Sequence, residues 1–296
     1  MRKFILGTDW WDDCDDAVAL RVITNHLKKG KIELLGVIIN ACMEYSAPSL
    51  DGFLNKDGVT NVPIGLDRNA TDFGGNPPYQ ERLAQYAKRY LSNDDAEDGV
   101  RLYRKLLANS NTCVEIMEIG FLQVLSGLLK SQPDDISDKS GMELVKEKVK
   151  KIWIMAGRWD MYGKTENNFC RNERSRTAAA YLCKNCPVPI TFLGFEIGQT
   201  VITGKTLKKD DHLYQVMVDR YSEKGRSSWD PMLVLLAITG DEDRAGYDVV
   251  KGFASVDEET GANFFTEDLN GNHLYVKKKF TDDYYERQIE KVINEE

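Results

Sequence analysis

The sequence predicts an α/β protein with a mainly parallel central sheet flanked by helices. Short apolar runs rich in β-branched residues alternate with segments of helical period. Several of these runs are apolar almost throughout, as expected for strands covered on both faces of a sheet. After about residue 205 the pattern changes to two helices followed by two strand-rich stretches, which predicts an antiparallel and helical C-terminal extension.

The predicted elements follow one another with polar segments between them. The predicted strands cover residues 3–6, 32–39, 62–65, 112–118, 151–157 and 189–194. The predicted helices cover residues 16–28, 80–92, 97–109, 121–131, 142–150, 173–184, 209–222, 230–239 and 281–294. Ligands of such sheets bind outside the carboxyl ends of the strands. The polar loops 66–79 and 158–170 are long enough for us to expect a functional role.

Composition limits the classes of partner. The 296 residues include 39 Lys and Arg against 47 Asp and Glu, and the net charge of −8 argues against a nucleic acid or an anionic membrane as partner. The N-terminal apolar run is too short for a signal peptide, and no later run is long enough to span a bilayer. The six cysteines are scattered, which favours reduced thiols. We therefore predict a cytoplasmic protein with a single domain over residues 1–296.

The most informative segment is GTDWWDDCDDAVAL (7–20), which places five carboxylates in eight positions between the first strand and the first helix. A helix N-terminus accommodates one or two acids, but not five beside Trp10 and Trp11. Calcium binds six to eight oxygen ligands and accepts massed carboxylates. An oxygen-rich calcium site therefore explains the cluster better than a solvated turn does.

Two other motifs do not fit this segment. An EF-hand beginning at Asp13 would require Gly and Glu where Val18 and Thr24 stand. A phosphate-binding loop would be rich in glycine, and the acids here would repel phosphate.

The run ILGTDWWDDCDDAVAL resembles the N-terminal signature of the inosine–uridine-preferring nucleoside hydrolases, with a loop two residues longer. Four later segments resemble that family's motifs in the same order: VEIMEIGFLQVLSGLL (114–129), VKKIWIMAG (149–157), ENN (166–168) and SSWDPMLVLLAI (227–238). The similarity extends from about residue 3 to residue 240. It implies the fold of a divergent nucleoside hydrolase and hydrolysis of the N-glycosidic bond of ribonucleosides to ribose and free base, as in purine and pyrimidine salvage.

By this resemblance, one set of residues would bind calcium. Asp9, Asp16, Asp230 and the backbone carbonyl of Ile119 would be ligands, and Asp13 would support the metal or its water. Calcium would bind the attacking water and lower its pKa. Asp9 would be the general base, and the surrounding carboxylates would stabilise an oxocarbenium-like transition state.

A second set would hold the substrate. Asp15 would bind the ribose hydroxyls, and Glu166 and Asn168 would bind the sugar from the opposite side. Asn40 would take the place of a sugar-binding Asn after the second strand. Trp229 stands where the family usually has His, and it would either stack on the base or pack as a hydrophobic residue at a helix start.

Other departures from the family pattern concern the acidic segment. Gly7 stands where the family has Asp. Trp10 and Trp11 stand where relatives carry small residues, so they would either narrow the pocket or anchor the loop. These departures mostly affect residues that would contact the nucleoside base. Two alternatives therefore stay open: a hydrolase of another N-ribosyl compound, and a catalytically silent protein that binds calcium and ribose. The resemblance also implies a homodimer or homotetramer.

Overall fold

An eleven-stranded sheet forms the centre of the fold in the computed structural model, which describes residues 1–295. The strands are β1 (Arg2–Thr8), β2 (Ile32–Ile39), β3 (Ile64–Leu66), β4 (Glu97–Asp98), β5 (Val114–Glu118), β6 (Val149–Met155), β7 (Lys164–Thr165), β8 (Ile190–Leu193), β9 (Ile202–Thr203), β10 (Arg226–Ser227), β11 (Tyr247–Val256), β12 (Ala262–Glu267) and β13 (His273–Lys278). Strands β9 and β10 form a separate antiparallel pair.

The helices connect these strands and cover the sheet. They are α1 (Asp15–Lys28), α2 (Ser46–Lys56), α3 (Gln80–Ala84), α4 (Gly99–Ala108), α5 (Gln123–Lys130), α6 (Gly141–Lys148), α7 (Asn167–Cys170), α8 (Glu173–Asn185), α9 (Phe195–Gly198), α10 (His212–Asp219), α11 (Trp229–Thr239) and α12 (Asp282–Ile293).

The order of strands in the sheet is β4-β3-β2-β1-β5-β6-β8-β13-β11-β12-β7. Neighbouring strands are parallel from β4 to β13, and the pairs from β13 to β7 are antiparallel. The chain builds the sheet outward from β1 in one direction and then returns to place β5 on the other side of β1. This reversal creates a switch point at the carboxyl ends of β1 and β5, where α/β sheets bind ligands.

Successive strand residues point to opposite sides of the sheet, and helices bury both of its faces. In β1, Phe4 and Leu6 belong to a core with α1, α2 and α11, whereas Ile5 belongs to a second core with α4, α5 and α8. These observations confirm the predicted mainly parallel sheet with an antiparallel and helical extension. None of the helices within residues 1–295 is long and apolar enough to cross a membrane.

Two helical segments, at α2 and α3, differ most from the sequence prediction, and the short helices α7 and α9 were also not predicted. The helix predicted at 80–92 ends at Ala84, and the carboxylate of Asp51 accepts hydrogen bonds from the backbone amides of Lys88 and Arg89 instead. Helix α2 was not predicted, although its buried residues Ala47, Leu50, Phe53 and Leu54 recur at helical spacing after a polar start. Asp51 lies on α2, so the missed helix supplies the contact that ends the predicted one.

Candidate active site

A cavity of about 320 Å³ opens at the switch point between β1 and β5. It is lined by Asp9, Trp11, Asp12, Asp13, Asp15, Asp16, Ile119, Met155, Glu166, Asn167, Asn168, Arg171, Phe195, Arg226, Trp229 and Asp230. This set includes every site residue predicted from the sequence except Asn40. The size suits a small molecule, and the lining joins residues from the start, the middle and the late part of the chain.

Four buried carboxylates form the floor of the cavity. Asp9 follows β1, Asp15 and Asp16 begin α1, and Asp230 lies in the first turn of α11, which packs against α1. Oxygen atoms of Asp15, Asp16 and Asp230 lie within 4.8 Å of one another. The backbone amide of Asp230 donates to Asp15 Oδ2 at 3.3 Å, and the hydroxyl of Thr8 donates to Asp16.

The four carboxylates repel one another when they are ionised. Burial, and then the charges of Asp16 and Asp15, raise the pKa of Asp9 well above its usual value. Burial and the other acids likewise raise the pKa of Asp15 and of Asp230, and burial raises the pKa of Asp16 to about 7. A bound divalent cation would remove this penalty. The donors are all oxygen atoms, which is the ligand set that calcium prefers.

The backbone after β5 lies directly beside Asp9. The amide of Ile119 donates to the carbonyl of Gly7 at 2.9 Å. A Cβ atom at Gly120 would lie 2.3 Å from the amide nitrogen of Asp9, so only glycine allows this close approach. The segment therefore holds Ile119, which lines the cavity, close to the acidic loop.

Glu166 and Asn168 lie at the wall that Met155 and the loop after β6 provide. The two oxygens of Glu166 accept hydrogen bonds at 2.9 Å from the backbone amides of Gly157 and Asn168. Burial raises the pKa of Glu166 to about 7, although these hydrogen bonds oppose the shift. Asn168 Nδ2 donates to the carbonyl of Met155 at 2.8 Å. Both side chains are buried and held in fixed orientations beside the cavity.

Asn40 is the one predicted site residue that does not line the cavity. Its Oδ1 accepts from the amide of Phe121 at 3.0 Å, and its Nδ2 donates to Glu118 Oε2 at 3.4 Å. The side chain is fully buried. It therefore holds the segment that follows β5, next to the site.

Glu118 is a buried acid that the sequence analysis did not single out. Its carboxylate lies where a side chain on Gly7 would project, about 2.1 Å from the position of a Cβ atom there. The hydroxyl of Tyr103 donates to it at 2.5 Å, and burial raises its pKa to about 8. A carboxyl group from the neighbouring strand β5 therefore occupies the space beside Gly7, although Glu118 itself does not line the cavity. The one sequence signal was an acid at the carboxyl end of β5, a strand that also contains Glu115.

Asp13 makes an ion pair at the rim rather than joining the buried floor. Arg226 donates from Nε to Asp13 Oδ1 at 2.9 Å and from Nη2 to Asp13 Oδ2 at 2.5 Å. Asp12 similarly pairs with Arg220 at 3.3 Å. Arginines therefore neutralise the outer acids of the loop, Asp12 and Asp13. The inner acids Asp9, Asp15 and Asp16 line the cavity.

Trp229 is half-buried and contacts both the cavity and the protein interior. Its Nε1 donates to the carbonyl of Phe195 at 2.7 Å, and its ring stacks on that of Phe195 with the centroids 5.2 Å apart. The guanidinium of Arg226 lies 5.5 Å from the centre of the indole. The two alternatives for Trp229 are therefore both compatible with its position.

The two tryptophans of the acidic loop have separate environments. Trp10 is 1% exposed, its Nε1 donates to Ser49 Oγ at 2.8 Å, and its ring meets Phe53 and Tyr79 edge-on. Trp11 lines the cavity, and its Nε1 donates to the carbonyl of Gly74 at 2.6 Å. Trp10 thus anchors the loop to α2, and Trp11 connects it to the segment 66–79.

We expect Trp10→Ala to lower the free energy of unfolding by about 3–5 kcal/mol, because it removes a fully buried ring and leaves a cavity. Chemical denaturation followed by fluorescence and circular dichroism measures the loss. Tyr162→Ala is the control, since Tyr162 is 83% exposed and its removal should change stability by less than about 0.5 kcal/mol. A cost below about 1 kcal/mol for Trp10→Ala would contradict the anchoring role.

Comparison with known proteins gives a result for fold only. No family model and no curated protein matches the sequence. The chain is similar to the solved structure of a plant nucleoside hydrolase, PpNRh1, with a TM-score of 0.75 and 14% identity over 100% of this chain and 99% of the other. It is also similar to a purine-preferring ribonucleoside hydrolase from Gardnerella vaginalis, with a TM-score of 0.72 and 18% identity over 99% and 98%.

An inosine-uridine preferring nucleoside hydrolase from Bacillus anthracis gives a TM-score of 0.68 and 15% identity over 99% of both chains. The predicted nucleoside hydrolase fold is thereby confirmed over the full length.

Proposed function

We propose that the protein hydrolyses the N-glycosidic bond of ribonucleosides, giving ribose and free base, in a calcium-dependent reaction. One observation supports this proposal most strongly. Four buried carboxylates face Glu166 and Asn168 across one small cavity at the switch point of a nucleoside hydrolase fold. The carboxylates suit a cation and a positively charged transition state, and the opposite wall offers polar groups to a sugar.

Asp9, Asp16, Asp230 and the carbonyl of Ile119 are the proposed calcium ligands. The fit rests on the oxygen atoms of Asp16 and Asp230, which lie within 4.8 Å of each other, and on the raised pKa values of Asp9, Asp16 and Asp230, which a cation would reverse. When bound, calcium would chelate the cis-diol of ribose and lower the pKa of a water molecule. Asp13 is not proposed as a ligand, because both of its oxygens bind Arg226.

Asp15, Glu166 and Asn168 are the proposed sugar-binding residues. A carboxylate accepts hydrogen bonds from ribose hydroxyls, which orients the sugar above the acidic floor. Asn40 is left out of this set because, unlike these three residues, it does not line the cavity.

Asp9 is the proposed general base. In the reaction, water attacks the anomeric carbon, Asp9 accepts a proton from that water, and the bond to the base nitrogen breaks with its electron pair passing to the base. Positive charge develops on the sugar ring as the bond breaks. The fixed carboxylates around the ring stabilise that charge without reorganising.

Sugar release from a panel of nucleosides tests this proposal. Purified protein with calcium is incubated with inosine, guanosine, adenosine, uridine or cytidine, and reducing sugar and free base are measured. We expect turnover of at least one nucleoside on the order of 1–10³ s⁻¹. 2′-Deoxyinosine and 2′-deoxyuridine are the matched controls. They should react at least about tenfold more slowly because they lack the cis-diol that a calcium ion would chelate.

Two outcomes would contradict the proposal, and each would assign a different function. Release of ribose from another N-ribosyl compound, with none from the nucleosides, would assign the hydrolase to that compound. Calcium-dependent binding of ribose without turnover of any of these compounds would assign a silent binding protein. The cytoplasmic location, the single domain and the homodimeric or homotetrameric state stay predictions.

A further inference from the structure

Arg226 is one of two cationic side chains that line the cavity within the described residues, the other being Arg171. It lies beside Trp229 in the cavity lining, with its guanidinium 5.5 Å from the indole centre. The side chain is 34% exposed, so it is accessible from the cavity. Arg226 belongs to β10, only four residues before Asp230.

The proposed reaction requires a group that stabilises the leaving base. The base leaves with the electron pair of the broken bond, so negative charge develops on it. No histidine of residues 1–295 lines the cavity. His26 contacts the carbonyl of Val22, His273 binds the amide of Ala254, and His212 contacts Asp57. The indole N–H of Trp229 is engaged by the carbonyl of Phe195.

The position of Arg226 is fixed by its ion pair. Asp13 binds the edge formed by Nε and Nη2, and Nη1 takes no part in that pair. An arginine held along one edge by a carboxylate can still donate hydrogen bonds from its other edge. The guanidinium is always protonated and therefore acts by donating hydrogen bonds and by its charge, not by giving up a proton.

We propose that Arg226 is a catalytic residue that binds the leaving base and stabilises the negative charge that develops on it. This proposal rests on the proposed function. As the bond between the anomeric carbon and the base nitrogen breaks, Arg226 donates a hydrogen bond to an acceptor nitrogen or oxygen of the base and stays protonated. Asp9 holds the proton of the attacking water, and the released base takes a proton from solvent. Asp13 is a positioning residue for Arg226.

Two substrates separate this role from a structural one. The first is the nucleoside that the wild-type protein hydrolyses best, whose base is a poor leaving group. The second is 4-nitrophenyl β-D-ribofuranoside, whose nitrophenolate leaves without a hydrogen-bond donor. We expect Arg226→Gln to lower kcat on the nucleoside about 10²-fold, the usual cost of one donor to a developing anion, and to lower kcat on the nitrophenyl riboside less than about fivefold. Arg226→Lys keeps the charge and should lose less on the nucleoside than Arg226→Gln.

Asp13→Asn is the matched control, because it breaks the same ion pair but keeps the guanidinium. We expect it to lower kcat on both substrates by a similar and smaller factor. Equal losses on the two substrates in Arg226→Gln, matching those in Asp13→Asn, would show that the pair only clamps the loop and would overturn the proposal. Circular dichroism and thermal unfolding of each variant confirm that it is folded.

Failure of this inference is distinguishable from failure of the proposed function. A wild-type protein that hydrolyses neither substrate overturns both. A wild-type protein that hydrolyses both, with an Arg226→Gln variant that loses the same factor on each, overturns the role of Arg226 alone.

Discussion

Asp9→Asn should lower kcat for the nucleoside about 10³-fold while the protein stays folded. The amide has the shape of the carboxylate but cannot accept the proton of the attacking water, and general-base assistance is worth roughly 10²–10⁴ in rate. The assay is run at a calcium concentration that saturates the variant, so that the loss of a proposed ligand is separated from the loss of the base.

Asp9→Asn should stabilise the metal-free protein although it lowers activity. Burial and the charges of Asp16 and Asp15 raise the pKa of Asp9, so the ionised group is unfavourable in the metal-free folded state. Asp9→Asn should therefore raise the melting temperature in the presence of a chelator even though it removes activity. This combination excludes unfolding as the cause of the lost activity.

Asp12→Asn is the matched control for Asp9→Asn. It makes the same chemical change in the same loop, but Asp12 is partly exposed at the rim and pairs with Arg220. Its activity should stay within about threefold of the wild type. An Asp9→Asn variant with more than about a tenth of wild-type kcat would show that another group is the base.

Calcium removal should abolish activity and lower the melting temperature by roughly 6–7 °C. A ligand at 1,000 times its dissociation constant stabilises the folded state by about 4 kcal/mol, and each kcal/mol shifts the melting temperature of a chain of 296 residues by about 1.6 °C. The physical source is the neutralisation of the buried acids on the cavity floor.

The pH dependence of stability tests the buried carboxylates of the cavity floor in a second, independent way. The pKa of Asp16 is raised from 3.8 to about 7, so the metal-free folded state binds this proton more tightly than the unfolded chain does. Stability in a chelator should therefore fall as the pH rises from about 4 to about 7. Calcium should abolish or reverse this fall, because it favours the ionised carboxylates. Differential scanning calorimetry with and without chelator measures both effects, and curves that coincide at every pH would contradict a calcium site.

The sequence predicted the fold well where local pattern determines structure. Strand β2 has the predicted bounds, and α1 and α11 begin within one residue of prediction, because apolar periodicity and acidic helix starts are local signals. The helix at 80–92 was not predicted correctly, since the carboxylate of Asp51 captures two backbone amides there. Such a contact depends on tertiary structure and cannot be recognised from the periodicity of the sequence.

The same distinction applies to the cavity. The acids of residues 9–16 were recognisable because they crowd one strand end, and Asp230 was recognisable only through a motif. Arg226 was not recognisable, because its partner Asp13 is 213 residues away in the chain. Glu118 was missed for the same reason: its place beside Gly7 follows from the pairing of β1 with β5.

The burial of Trp10 has a consequence for whether the acidic segment can be transplanted. The contiguous loop of an EF-hand supplies its own ligands and its own turn. Here Trp10 has a positive φ of 44°, a conformation that a free chain rarely keeps, and its carbonyl is held by Gln80. A peptide of residues 7–20 would carry the five carboxylates without the frame that holds them together. The motif is therefore not a portable module, and grafting it into another protein would require α2 and the segment around Gln80 as well.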